Sequence, residues 1–160
     1  MGVDVRRVGP EEVARVRAVV LEAFAARPPL EPPAAALTES ADELAALLAK
    51  GGGLIARHEG RDVGALVLDP VDRTMYLRRF GVRPSAQGLG IARALIDAAV
   101  YAAHDFDDLT VVAREELPRT IRFWERQGFR EIRRSSPNVE LRRPLRTFLF
   151  DVPDADAMRE

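Results

Sequence analysis

The chain has 160 residues, 47% hydrophobic and 31% charged, with a formal net charge of -1. That length builds one well-buried core, and the balanced charge gives no reason to expect nucleic acid or a membrane surface as partner. The absence of cysteine excludes disulfides, thiolate metal sites and a cysteine nucleophile, and it permits a reducing cytosol.

Val3, Val5 and Val8 with interleaved charges predict a first strand, and Gly9-Pro10-Glu11-Glu12 a helix start, since proline needs no N–H there and acids favour the positive end of the dipole. Val13, Val16, Val20 and Phe24 form one apolar stripe that ends before Pro28-Pro29. Residues 27–39 hold four prolines and are expected to form a loop. Ser40-Ala41-Asp42-Glu43 has capping-box spacing and opens a helix that buries Leu44, Leu47 and Leu48 before Gly51-Gly52-Gly53. Leu54 to Arg57 and Val63 to Leu68 flank His58-Glu59-Gly60-Arg61 as a β-hairpin, Asp69-Pro70 is expected to turn the chain, and Met75 to Val82 reads as a strand.

A helix is expected from Gln87 to about His104, with Ile91, Leu95 and Ala102 inward. Leu109 to Ala113 reads as a strand, Pro118 to Arg126 as a helix stopped by Gly128, and Phe129 to Arg134 and Val139 to Leu141 as strands, the last continuing past Pro144. The tail, Thr147 to Glu160, fits no element of this core and is expected to be a tail or the start of a further domain, after a domain spanning 1–146. Residues 1–7 lack an apolar signal core, and no apolar run approaches membrane length, so a cytoplasmic protein with no membrane partner is expected. His58 and His104 stand far apart without carboxylates at ligand spacing, so no metal is expected.

The stretch Phe80-Gly81-Val82-Arg83-Pro84-Ser85-Ala86-Gln87-Gly88-Leu89-Gly90-Ile91-Ala92-Arg93 carries the chemistry. A strand enters a glycine turn and a helix leaves it, so unpaired N–H groups converge at a positive dipole end, which is an anion site. Small residues at 88, 90 and 92 let a pyrophosphate approach the backbone. Gly-Leu-Gly alone is weakly specific, because a helix start with no ligand uses the same residues. Arg93 stands where a Rossmann fingerprint needs a small residue, and Gly-Lys-Ser/Thr is absent.

Val-x-Pro followed by Gln-x-x-Gly-x-Ala resembles the acyl-CoA motif of the GNAT superfamily of N-acyltransferases. Leu109-Thr110-Val111-Val112-Ala113 and Phe123-Trp124-Glu125-Arg126-Gln127-Gly128-Phe129 occupy its second signature. The resemblance spans about residues 3–145. It implies an α/β (α+β) fold with a central mixed, mostly antiparallel sheet, splayed in the middle and flanked by helices on both faces. It implies acetyl-CoA as acyl donor, with Phe80 and Val82 on the pantetheine arm at a bulged strand end and the Val82 N–H toward the thioester carbonyl. Gln87, Gly88, Leu89, Gly90, Ile91, Ala92 and Arg93 would hold the pyrophosphate, and Thr120, Phe123 and Trp124 would line the slot near the acyl group. Phe123 and Trp124 also read as helix core.

Two positions depart from the family. Its common Asn falls on Leu117 and its common Tyr on Trp124, whose indole has no acidic hydroxyl. No residue is assigned as catalytic; Glu115 and Glu116 are candidate bases, with Asp72 and Glu140 as outsiders, and each reads better as a solvated surface carboxylate. The expected reaction is N-acetyl transfer by direct attack of a small-molecule or peptide amine in a ternary complex, without metal. The resemblance also leaves room for a homodimer. Residues 27–39 and 135–146 would form the acceptor pocket, where Arg133, Arg134, Arg142, Arg143 and Arg146 hint at an acidic acceptor or form a solvated strand edge. Two other readings stand beside it. One is an acyl-CoA-binding regulatory module that has lost catalysis. The other is a domain cut from a fusion, since Val152-Pro153-Asp154-Ala155-Asp156-Ala157-Met158-Arg159 resembles the opening of the bacterial ATPase that serves tRNA threonylcarbamoylation.

Overall fold

The computed structural model describes residues 2–145, so Arg146 and the tail 147–160 lie outside the described residues. The described residues hold seven strands and five α-helices. They fall into two compact units, one holding the described residues up to Pro70 together with Tyr76–Ala102, the other Val71–Met75 and the described residues from Ala103 on.

In the first unit β1 (Val3–Val8), β2 (Gly53–His58), β3 (Arg61–Val71) and β4 (Thr74–Val82) lie in that order. β1 and β2 are antiparallel, with Val3 opposite His58 and Val8 opposite Gly53, and β2 pairs antiparallel with β3. The expected helix start at Pro10 is a 3₁₀ turn, Pro10–Glu12, that leads into α1 (Val13–Ala25). Its apolar stripe buries Val16, Val19, Val20 and Ala23. A short helix α2 (Ala35–Thr38) sits inside the proline-rich segment, where a plain loop was expected. Four residues are one turn, too short for a periodic pattern to reveal. Helix α3 (Ala41–Gly51) carries the predicted capping box, since the Ser40 Oγ accepts from the Glu43 N–H and the Glu43 carboxylate accepts from the Ser40 N–H. It stops at Gly52, whose φ of +79° suits glycine. Leu44 and Leu48 pack with Val16, Val20, Ile55 and Val67, and burying such a leucine contributes about 1.5–3 kcal/mol.

Asp69-Pro70 does not turn the chain. β3 runs through to Val71, because the buried Asp69 carboxylate is held 2.8 Å from Arg78 Nε and 3.6 Å from Lys50 Nζ. The reversal comes at Asp72, whose φ is +53°. The helix expected from Gln87 begins only at Ile91, as α4 (Ile91–Ala102), because Gly88 and Gly90 adopt left-handed φ values that no right-handed helix contains. α4 buries Ile91, Leu95, Ile96 and Ala99. It lies close on β3 at Gly64, where a Cβ would sit 2.7 Å from Ile91 Cγ2 and 2.9 Å from Leu95 Cδ1.

In the second unit β5 (Asp108–Arg114), β7 (Asn138–Pro144) and β6 (Arg130–Ser135) lie in that order, with both pairs antiparallel. Helix α5 (Pro118–Arg126) starts on a proline, and Gly128 after it has φ +94°. Phe129, expected in the strand, precedes β6 and is fully buried with Leu109 and Leu141. β7 ends at Pro144; the expected continuation falls almost wholly outside the described residues.

Candidate active site

Pro84–Ala86 form a single 3₁₀ turn anchored by the buried Ala86, after which Gln87 is extended. Gly88 and Gly90 have φ of +85° and +81°. A Cβ added at either would meet nothing within 4 Å, so the backbone there faces open space. The first intrahelical bond of α4 runs from the Ala94 N–H to the Gly90 carbonyl at 3.1 Å. The N–H groups of Ile91, Ala92 and Arg93 therefore have no carbonyl four residues back.

α3 and α4 treat their N-termini differently. α3 has the Ser40–Glu43 box with Asp42 and Glu43 in its first turn, whereas α4 starts from a glycine with no acid in its first turn and with Arg93 instead. Its positive end is left for an outside anion. Gln87, Gly88, Leu89, Gly90 and Arg93 are exposed and Ala92 is half-buried. Ile91 alone turns its side chain into the core, so only its N–H is on offer.

Arg79, inside β4 three residues before Val82, has φ +55°, a left-handed conformation in mid-strand. A non-glycine residue held so costs about 1–3 kcal/mol. The Arg79 guanidinium grips Glu39 with Nε and Nη2 at 2.8 and 3.0 Å, and both side chains are largely buried. At the next residue the Phe80 carbonyl accepts from Arg27 Nη2 at 2.9 Å. Val82 is half-buried, and the following Arg83 N–H donates to the Val63 carbonyl at 2.8 Å.

Thr120, Phe123 and Trp124 lie in the second unit, on α5. Trp124 is buried between Phe123 and Phe129, with T-shaped ring contacts at 5.1 and 5.0 Å. Its packing role is thereby shown, while Thr120 and Phe123 stay half-buried. Leu117 is the N-cap of α5 and, with no polar side chain, makes no side-chain cap bond.

Three of the four candidate bases, Glu115, Glu116 and Glu140, have local partners. Glu115 accepts from Ser136 Oγ and lies 3.5 Å from Arg134. Glu116 accepts from Arg114 at 3.1 and 3.3 Å, and those bonds hold its carboxyl below the usual range, away from the near-neutral pKa a base needs. Glu140 is 3.4 Å from Arg133, and Asp72 is in the exposed turn after β3. The basic strands hold their charges internally too, with Arg134 on Glu131, Arg142 on Asp108 and Thr110, and Arg143 on the Gln127 carbonyl. Among the described residues no three His, Asp or Glu side chains group as a metal site, and no helix is long and apolar enough to cross a membrane.

The family model described as acetyltransferase (GNAT) domain matches residues 49–131. Solved structures of similar fold include PaiA N-acetyltransferase from Thermoplasma acidophilum in complex with coenzyme A, with a TM-score of 0.77, 14% identity, and 90% of this chain and 99% of that chain covered. Another is the ribosomal-protein-S18-alanine N-acetyltransferase from Escherichia coli, at TM-score 0.73 and 15% identity over 90% and 94% of the two chains. A third is IAA acetyltransferase from Bacillus cereus ATCC 14579, at TM-score 0.70 and 19% identity over 90% and 100%. At these identities the likeness shows the fold, the mixed and mostly antiparallel sheet with helices implied by the resemblance. No curated protein matches significantly.

Proposed function

Because the chain belongs to the GNAT acetyltransferase family, we propose that it is an N-acetyltransferase that takes its acetyl group from acetyl-CoA and passes it to an amine. The observation that carries this reading is the turn at Gln87–Gly90. Two left-handed glycines open toward empty space at the start of a helix with no acid in its first turn. Backbone N–H groups from 88 to 93 suit a pyrophosphate, and the exposed Arg93 adds a positive charge beside it. The coenzyme A bound to the Thermoplasma protein of the same fold supports an acyl-CoA ligand here.

Acetyl-CoA supplies an activated thioester. The chain's contribution is placement and polarisation. β4 carries the left-handed Arg79 three residues before its end, and the Val82 N–H is the donor assigned to the thioester carbonyl oxygen. Amine nitrogen bonds to the acetyl carbon, the carbon–sulfur bond breaks, and the amine gives up one proton. With a lysine near pKa 10.4 or an α-amine at about 7.7–8.0, that proton leaves before attack. The Arg114-held Glu116 is unsuited to take it, so bulk water or a water chain is assigned. A thiol of pKa about 8.5 departs as thiolate without a phenolic acid, which fits a buried Trp124 where the family commonly has tyrosine.

That same substitution, together with Leu117, favours one second reading, an acyl-CoA-binding module without turnover. Acetyl-CoA should raise the melting temperature, and a panel of amines (amino acids, peptides, polyamines, aminoglycosides) should release free thiol. A thermal shift with no thiol release from any amine supports the second reading; no shift at millimolar acetyl-CoA removes both.

A further inference from the structure

α1 ends at Ala25, and the Arg27 N–H then donates back to the Phe24 carbonyl at 3.1 Å. This folds the Arg27 side chain over its own helix end, with the guanidinium 3.9 Å above the Phe24 ring. The same end of α1 is pressed onto β4 at Gly81, where a Cβ would lie 2.7 Å from Ala23 Cβ. Arg27 therefore reaches the Phe80 carbonyl, one residue past the left-handed Arg79.

The neighbouring arginine is neutralised, because Arg79 holds the buried Glu39. Arg27 is not. No carboxylate among the described residues forms an ion pair with it, and one N–H goes to the neutral Phe80 oxygen out of the five that a guanidinium carries. Burial pulls its pKa below the ordinary arginine value without neutralising it. A half-buried, uncompensated cation is costly unless an anion completes it. Its flat face is already spent on Phe24, so an anion must come edge-on, in the plane of the fork, where a carboxylate binds with two parallel bonds.

We propose that Arg27 is the acceptor-binding residue of this enzyme and that the acceptor is an amine bearing a carboxylate, an α- or short ω-amino acid, held by that carboxylate on the free edge of the Arg27 guanidinium. The inference rests on the proposed acetyl transfer, with the thioester carbonyl at the Val82 N–H. Residues two apart on a strand are about 7 Å apart. A small amino acid spans that gap, carboxylate at Arg27 and nitrogen toward the thioester. The sequence placed a basic hint on the last two strands, but Arg133, Arg134 and Arg142 there are paired with carboxylates, whereas Arg27, after α1, has none among the described residues.

The test compares matched pairs. α-Amino acids, β-alanine and γ-aminobutyrate are assayed against their carboxamides by thiol release from acetyl-CoA. The wild type should favour the acid by about tenfold or more in kcat/KM, mostly through KM. Arg27→Gln should erase the preference and Arg27→Lys should keep part of it, while both retain the acetyl-CoA thermal shift of the wild type. Equal rates for acid and amide, or no turnover of either, overturn the proposal whether or not the variants fold. A thermal shift lost in Arg27→Gln assigns Arg27 to a cofactor phosphate and also overturns it. A missing shift in the wild type counts instead against acetyl-CoA binding itself.

Discussion

Ala92→Asp separates an anion site from a mere helix start, because the two make opposite use of the same charge. Ala92 is the second residue of α4, half-buried, in a first turn that lacks any acid. Without ligand, an aspartate there interacts with the positive helix end and should stabilise the fold by about 0.3–1 kcal/mol. With acetyl-CoA it faces the pyrophosphate. Two unit charges about 4 Å apart repel by about 4 kcal/mol at an effective dielectric constant near 20. If solvent halves that to about 2 kcal/mol, the dissociation constant rises about 30-fold. At a concentration about 100 times the wild-type constant, acetyl-CoA stabilises the wild type by about 2.7 kcal/mol and the variant by about 0.9 kcal/mol. For a chain of this size those figures are thermal shifts of about 5–11 °C and about 2–4 °C. Differential scanning fluorimetry with and without acetyl-CoA reads both terms. The expected pattern is a higher melting temperature without ligand and a smaller shift with it. A higher melting temperature with the full wild-type shift refutes the anion site, since the charge would then meet nothing but the helix.

Four further outcomes follow from other parts of the molecule. Gly81→Ala puts a methyl group 2.7 Å from Ala23 Cβ, so it should destabilise by about 1–3 kcal/mol, and Ala23→Gly in the same chain should return part of that in a denaturant melt. Trp124→Phe leaves a gap between Phe123 and Phe129 and should lower the melting temperature, yet cost less than about tenfold in turnover, or about 1.4 kcal/mol; a thousandfold loss with normal acetyl-CoA binding would put the indole N–H in the transition state. Asp62 accepts from Arg15 at 2.7 and 2.9 Å, and these bonds hold its carboxyl below the usual range. Its stabilisation is thus full above the unfolded pKa near 3.8 and lost as pH falls through the folded value, so Asp62→Asn should be less stable at neutral pH and show a shallower loss on acidification below about pH 4. Thiol release should be unchanged by chelator, and activity removed by chelator and restored by zinc would contradict the metal-free mechanism.

Much of the fold was legible because its signals are local. The Ser40–Glu43 capping box, the Gly52 stop, the strand Val3–Val8 and the helix Pro118–Arg126 depend on residues within one or two turns of each other, and each stands where the sequence put it. The glycine turn itself was legible for the same reason, and Gly88 and Gly90 there face open space. The sequence itself also determined the family, through two short signatures in order, matched within residues 49–131.

What the tertiary structure alone decided are partnerships between residues far apart in the chain. Asp69-Pro70 looked like a turn until Arg78 and Lys50 fixed the carboxylate and kept the strand going. The helix start moved from Gln87 to Ile91 because backbone dihedrals at two glycines, which a glycine leaves undetermined by its sequence, settled into left-handed values. Glu39 is paired with Arg79 across 40 positions and Arg27 with the Phe80 carbonyl across 53. Charges in a sequence carry no record of which partner they meet, since an ion pair depends on distance in space, and that distance is set by where Gly81 lets α1 approach β4. The basic residues on the last two strands pointed to an acidic acceptor, but folding gave Arg133, Arg134 and Arg142 carboxylate partners, while Arg27, which no sequence pattern singled out, bonds only a neutral carbonyl.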